Sequence, residues 1–142
     1  MKRKLLTMAL LLALGFVSQA KDIKVTINDL PAKAREFITT YFAKQNVVSV
    51  MKDIEDNEFT VRFDDNTKIE FDRKGEWLDL SNKVNCLTTA FLVPQITNYI
   101  ESNHSGYCVN EIDKERSKVK IELDNNMELV FRLTGEFLYY DD

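Results

Sequence analysis

The stretch IEFDRKGEWL (69–78) returns sixty residues later as LVFRLTGEFL (129–138). The same offset aligns residues of one class further upstream, for example Val61 with Ile121. Chance rarely places so many matching residues in register. The sequence therefore encodes one structural unit twice, and the unit contains a hairpin.

Each copy is predicted to be one helix followed by strands. Pro31 and Pro94, at an offset of sixty-three, suit the first turn of a helix, where the missing N–H would have no partner. Apolar residues recur at helical spacing after both prolines: Ala34, Phe37, Ile38, Tyr41 and Phe42, then Ile96, Tyr99 and Ile100. Downstream the period changes to two, as a sheet with one buried face requires. The offsets make the loop after the second helix three residues shorter.

Two turns in each copy follow from the side chains that must share the buried face. In the first copy the pairs are Phe63 with Thr67, Val61 with Ile69, Phe59 with Phe71, and Asp72 with Glu76. This pairing puts Asn66 and Gly75 in the left-handed region as bulge residues. Asn126 and Gly135 take these positions in the second copy. The pairing also predicts that Trp77 lies beside Phe71 in the core, facing the helices.

This tandem pattern resembles the secreted PepSY-like family described as β-lactamase-inhibitor-like, common in Bacteroides-type bacteria. The resemblance implies an α+β fold in which each repeat has one helix and about four antiparallel strands. It also implies one continuous sheet with the helices on one face, and a binding or inhibitory role. We predict a first repeat over 21–82 and a second over 83–142. Arg132 and Leu133 depart from the pattern, since the first copy has Asp72 and Arg73 there.

Residues 1–20 have the three parts of a secretory signal peptide. Three basic residues precede an apolar run of thirteen, which is short for a membrane span, and Ser18 and Ala20 suit a cleavage site. The alternative is an uncleaved membrane anchor. We expect a mature chain that begins at Lys21 and is periplasmic or secreted.

The charge of the mature chain argues against two classes of partner. Removing residues 1–20 leaves 16 of the 19 basic residues and all 23 acidic ones, a net charge of −7. Nucleic acids and anionic membranes both favour a basic surface. We therefore expect neither as a partner once the signal peptide is removed.

Two cysteines, Cys86 and Cys108, remain in the mature chain. An oxidising compartment would allow them to form a disulfide across a loop of twenty-three residues. Two separate buried thiols are the alternative, since spacing alone does not give the distance between the two Cα atoms.

The sequence offers little for catalysis. His104 is the only histidine, and no serine or cysteine motif accompanies it to supply a nucleophile. The oxygen-rich segments 64–66, 124–126 and 141–142 favour turn hydrogen bonds over a cation site, because calcium needs six to eight converging oxygens. We predict no enzyme activity, no cofactor and no metal site.

The sheet face opposite the helices is the predicted binding surface. Its candidate partner-binding residues are Arg62, Lys68, Leu78, Leu80, Lys120, Glu122, Val130, Leu138 and Tyr140. An apolar centre ringed by charges is typical of protein interfaces. Alternatively, the last strands pack under a loop or under residues 21–28, or the leucines are scattered surface residues without a role.

Two functions follow from these predictions. The first is a non-enzymatic exported binding protein, inhibitor-like or an assembly module, whose open sheet face docks another exported protein or a second copy. The alternative is a periplasmic protein that encloses a small apolar ligand between helices and sheet. The apolar helical stripes are more simply explained as core.

Overall fold

A computed structural model describes residues 21–141, so the predicted signal peptide and Asp142 lie outside the described residues. In chain order the elements are β1 (Asp22–Val25), a 3-10 turn (Ile27–Asp29), α1 (Ala32–Tyr41), β2 (Val47–Asp53), β3 (Phe59–Phe63), β4 (Lys68–Phe71), β5 (Trp77–Ser81), α2 (Pro94–Asn103), β6 (Val109–Glu115), β7 (Lys118–Leu123), β8 (Glu128–Arg132) and β9 (Phe137–Asp141). The nine strands form one antiparallel sheet in chain order. The α+β class is confirmed.

Both helices pack on one face of this sheet. Directly paired residues form an apolar row across the strands on that face: Ile69, Leu80, Ile112, Ile121 and Leu129. All five are fully buried in the single core. Phe37 of α1 meets Phe71 edge-on at 5.7 Å, and Tyr99 of α2 meets Phe131 at 5.5 Å between ring centroids. The aromatic residues of the helical stripes therefore pack against the sheet.

The two helices correspond at an offset of 62, which corrects the predicted 63. Pro31 precedes α1 as its N-cap, whereas Pro94 is the first residue of α2. Both prolines suit a helix start, so matching them directly misplaced the repeat by one residue. The connections after α1 (42–46) and after α2 (104–108) are both five residues long, so the predicted shorter loop after the second helix is wrong. The offset falls from 62 to 60 in the turn between β6 and β7, which is shorter than the turn between β2 and β3.

Residues 21–28 do not cover the last strands. Asp22–Val25 forms β1 and extends the sheet beside β2, at the opposite end from β9. The alternative in which this segment covers the final strands is therefore wrong.

The predicted turns are confirmed. Phe59 pairs with Phe71 and Val61 with Ile69, and the Phe63 N–H donates to the Thr67 carbonyl at 2.9 Å. The residues predicted to be left-handed have positive φ: Asn66, Gly75, Asn126 and Gly135. At Gly75 a Cβ would lie 2.8 Å from the Ala34 nitrogen, so the turn also needs glycine to approach α1.

An additional bulge interrupts β5. Phe71 pairs with Trp77 as predicted, but the preceding Glu70 pairs with Asp79, which leaves Leu78 as the extra residue. A bulge of this kind reverses the in-and-out alternation for the rest of a strand. Leu80 therefore faces the helices and has 0% exposure. Its predicted place on the open face is wrong.

The same bulge recurs in β9. Phe131 pairs with Phe137, but Val130 pairs with Tyr139, which makes Leu138 the extra residue. Tyr140 then pairs with the buried Leu129 and points toward α2. The predicted place of Tyr140 on the open face is also wrong, and Val130 lies opposite Tyr139 instead of Leu138.

Trp77 faces the helices, as predicted, but is only partly buried. Its ring meets Phe91, in the connection before α2, at 5.2 Å. Cys86 and Cys108 are joined in a disulfide with their Cα atoms 5.2 Å apart. The bond ties the start of that same connection to the residue before β6.

Candidate docking surface on the open sheet face

The structure separates the nine predicted partner-binding residues into three groups. Arg62, Lys68, Lys120, Glu122 and Val130 lie on the open face, Leu78 and Leu138 are the bulge residues, and Leu80 and Tyr140 face the helices. The charged residues of the prediction are thus on one surface. The apolar centre is smaller than predicted and lies at the β8–β9 end.

Tyr140 belongs to a polar cluster beside α2. Its hydroxyl shares a hydrogen bond of 3.0 Å with the Tyr99 hydroxyl and one of 2.9 Å with His104 Nε2. Burial and the bond to Tyr140 raise the pKa of Tyr99 to about 12. His104 is also the C-cap of α2. Within the described part of the chain, the His104 ring makes no hydrogen bond to a serine or cysteine.

Tyr139 is the interface candidate that the sequence prediction missed. It lies on the open face opposite Val130 and is 45% exposed, whereas Val130 is only 3% exposed. Lys118 lies beside it, with Nζ 3.3 Å from the Tyr139 hydroxyl and 5.2 Å from the ring centroid. The segment FLYYD (137–141) has apolar or aromatic residues at four consecutive positions. The sequence therefore does not show which of the two tyrosines faces outward.

Basic side chains border this end of the face. A hollow of about 490 Å³ is lined by Ser117, Lys118, Arg132, Leu133, Thr134 and Leu138. Lys120 forms ion pairs with Asp141 at 2.8 Å and Glu128 at 3.6 Å, and the bond to Asp141 raises its pKa. We use the name docking patch for Lys118, Arg132, Leu138 and Tyr139 together with the buried Val130 beneath them.

The centre of the open face is acidic. Glu70, Asp79 and Asp113 lie directly opposite one another across β4, β5 and β6, at the junction of the two repeats. Burial and the neighbouring carboxylates, first Glu111, raise the pKa of Asp79 to about 7. Burial and a hydrogen bond with Glu115 raise the pKa of Asp113 to about 6. Like charges placed directly opposite destabilise a sheet.

The raised pKa values of Asp79 and Asp113 predict that the protein is more stable in mild acid than at higher pH. A carboxyl whose folded pKa is raised binds a proton more readily when folded, so stability is lost as pH rises toward the folded pKa. We expect the free energy of unfolding to rise by about 1 to 2 kcal/mol between about pH 8 and pH 5, after allowance for solvent screening. Urea unfolding across this range measures it.

Asp79→Asn should flatten that pH profile, because the largest raised pKa is removed. Asp22→Asn, on the exposed β1 strand, should leave the profile as in the native protein. A native profile that stays flat, or falls toward pH 5, would contradict the assignment.

The oxygen-rich turns use their side chains within the turns. Asp64 accepts from the backbone and side-chain nitrogens of Asn46 at 3.0 and 2.9 Å, and these bonds lower its pKa. Asp65 accepts from the Thr67 N–H, and Asn125 from the Met127 N–H. In residues 21–141 no group of three or more histidine, cysteine or acidic side chains is placed to hold a metal.

Comparison with known proteins identifies the family. Residues 17–61 and 57–139 match the family described as "Putative beta-lactamase-inhibitor-like, PepSY-like". The chain belongs to this family. No protein with a curated description matches it.

Three solved structures of similar proteins share the fold. A Bacteroides vulgatus protein described as "a putative periplasmic protein of unknown function" is 30% identical, with a TM-score of 0.77 over 85% of this chain and 99% of that one. A protein from Bacteroides thetaiotaomicron, described as "putative calcium-regulated", is 25% identical, with a TM-score of 0.79 over 85% and 97%. A second B. vulgatus protein is 25% identical, with a TM-score of 0.78 over 87% and 99%.

All three relatives are described as periplasmic. No helix within residues 21–141 has the length and apolar character needed to cross a membrane.

Proposed function

We propose that this PepSY-like protein is a non-enzymatic, exported binding protein that docks another exported protein through the open face of its sheet. The observation that carries the proposal is the uncovered face itself. Both described helices lie on the opposite side, and the uncovered side has an apolar patch at one end bordered by basic side chains. Inhibitor-like or assembly roles both fit such a surface.

The docking patch favours a partner with an apolar contact and acidic groups around it. Tyr139 and Leu138 offer the apolar contact, and tyrosine combines a large contact area with a polar tip. Lys118 and Arg132 border the contact and would orient an acidic partner and speed association. The acidic row of Glu70, Asp79 and Asp113 would repel the same partner from the centre of the face, most strongly above the raised pKa of Asp79, about 7. The charges thus favour docking at the β8–β9 end.

The double variant Leu138→Asp and Tyr139→Ser tests this surface. It should remain folded, because both changed side chains are outside the core cluster, and it should lose capture of the partner from cell-envelope extract by at least about tenfold. Capture is measured with the immobilised mature protein, followed by quantitative mass spectrometry.

The control is Ile54→Asp with Tyr107→Ser, which makes the same kinds of change at two exposed apolar side chains outside the docking patch. It should capture the partner as the native protein does. Equal capture by both double variants would contradict the docking patch. If the native protein instead associates with itself in sedimentation and only the first variant prevents this, the partner is a second copy.

Calcium regulation, named for the B. thetaiotaomicron relative, is not extended to this chain. A calcium site needs six to eight oxygen ligands. The acidic turns of the described residues engage their oxygens in backbone and asparagine hydrogen bonds. We therefore propose a binding function that does not depend on calcium.

A further inference from the structure

A second candidate site lies on the helix side of the sheet, at the junction of the repeats. Trp77 forms a wall shared by two hollows. One, of about 290 Å³, opens beside α1, and the other, of about 180 Å³, opens beside the start of α2. The second hollow is lined by Trp77, Phe91, Leu92, Val93, Ile96, Lys114, Val119 and Leu133, all apolar except the lysine. We call it the junction hollow.

Lys114 is the one charged group lining the junction hollow. Its ammonium lies 3.9 Å from the centre of the Trp77 ring. Within residues 21–141 this ammonium makes no hydrogen bond or ion pair, and the nearby Glu76 is paired with Lys33. Burial lowers the pKa of Lys114. The carboxylates of Glu76 and Asp72 are also near enough to interact with it electrostatically. A partly buried ammonium over an aromatic face, with no hydrogen bond or ion pair, has donors free for an anion.

The size and lining of the hollow limit what it could hold. Pockets for drug-sized ligands are about 300 to 1,000 Å³, so a hollow of about 180 Å³ suits a smaller molecule. The apolar walls favour a hydrocarbon or aromatic body. The single ammonium favours one anionic group, since a second would be left without a partner.

We propose that the junction hollow binds a small monocarboxylate with an apolar body about the size of a phenyl ring. The carboxylate bonds to the Lys114 ammonium, and the apolar body lies among Phe91, Ile96 and Leu133. None of the docking-patch residues lines this site, although Leu133 also lines the hollow beside that patch. Ligand binding and partner docking are therefore tested separately.

The first repeat supplies an internal comparison. Lys52 is the counterpart of Lys114 at the helix offset of 62, and its ammonium lies 5.6 Å from the Phe59 ring. Lys52 lines neither of the two hollows beside Trp77. In the second repeat the counterpart of Trp77 is Phe137, which stacks on Tyr99 at 4.4 Å. Trp77 has no such stacking partner on α1, and this difference leaves the hollow open.

Fluorescence titration tests the proposal directly, because Trp77 is the only tryptophan in the chain. 3-Phenylpropionate, added to the purified mature protein, should produce a saturable change in tryptophan emission. 3-Phenylpropionamide has the same apolar body without the charge and should bind at least about tenfold more weakly.

Three variants separate binding from folding. Lys114→Met should weaken binding of the acid by at least about tenfold, while Lys114→Arg keeps a cation that can bond a carboxylate and should bind the acid more tightly than Lys114→Met. Lys52→Met is the matched control and should bind as the native protein does. Thermal melting confirms that each variant is folded.

Three results would each overturn the proposal. They are no saturable signal with the acid, equal affinities for acid and amide, or native affinity in folded Lys114→Met. Because the docking patch is unchanged in these variants, partner capture would remain as a separate measurement.

Discussion

Leu80→Asp is expected to unfold most of the protein at room temperature. Leu80 is fully buried between Ile69 and Ile112 on the helix-facing side. Removing a buried leucine side chain costs about 2 to 5 kcal/mol, and an unpaired buried carboxylate adds several more. The sum reaches the whole stability of a typical domain, about 5 to 15 kcal/mol. Urea unfolding followed by circular dichroism measures the loss.

Leu78→Asp is the matched control two residues away. Leu78 is the half-buried bulge residue, so the same change there should cost less than about 2 kcal/mol and leave a folded protein. Similar stability of the two variants, or the reverse order, would show that β5 keeps simple alternation without the bulge.

Loss of the disulfide is expected to have the next largest effect. The Cys86–Cys108 bond closes a loop of twenty-three residues that contains the connection before α2 and the helix itself. Changing both cysteines to serine should lower the free energy of unfolding by about 3 kcal/mol in the chain-entropy account. For a domain of this size that corresponds to a fall in melting temperature of roughly 10 °C.

Reduction supplies the control for this prediction. The native protein in excess thiol should melt at nearly the temperature of the double serine variant, and thiol should not change the variant. Equal melting of native protein with and without thiol, after confirmed reduction, would contradict a stabilising role.

The hairpins were predictable because their turn chemistry is local. Asn66 and Gly75 accept left-handed backbone at low cost. The neighbouring apolar residues stand at every second position, so they identify the buried face without ambiguity. Register and facing then follow through β3 and β4. The helix offset was less well determined, because Pro31 and Pro94 are both compatible with either of two positions at a helix start.

The bulges in β5 and β9 could not be predicted from the sequence. WLDLS and FLYYD have apolar residues at both odd and even positions. Apolar side chains would therefore face the core whether the strand alternates regularly or contains a bulge. The charged part of the candidate surface was placed on the open face because Arg62, Lys68, Lys120 and Glu122 lie in strands without this bulge. Tyr139 and Tyr140 follow the bulge in β9. Tyr140, which was predicted to face outward, therefore faces the helices, and Tyr139 lies on the open face.

The proposed function requires another exported protein to dock at the β8–β9 end of the open face. Site-specific photocrosslinking in the producing cell tests it most directly, with a photoreactive phenylalanine derivative in place of Tyr139. Tyr107 is the matched control position, since it is 49% exposed and lies beside α2. We expect a discrete crosslinked species from position 139 and none from position 107. Absence of a crosslink at 139, or the same species from both positions, would contradict it.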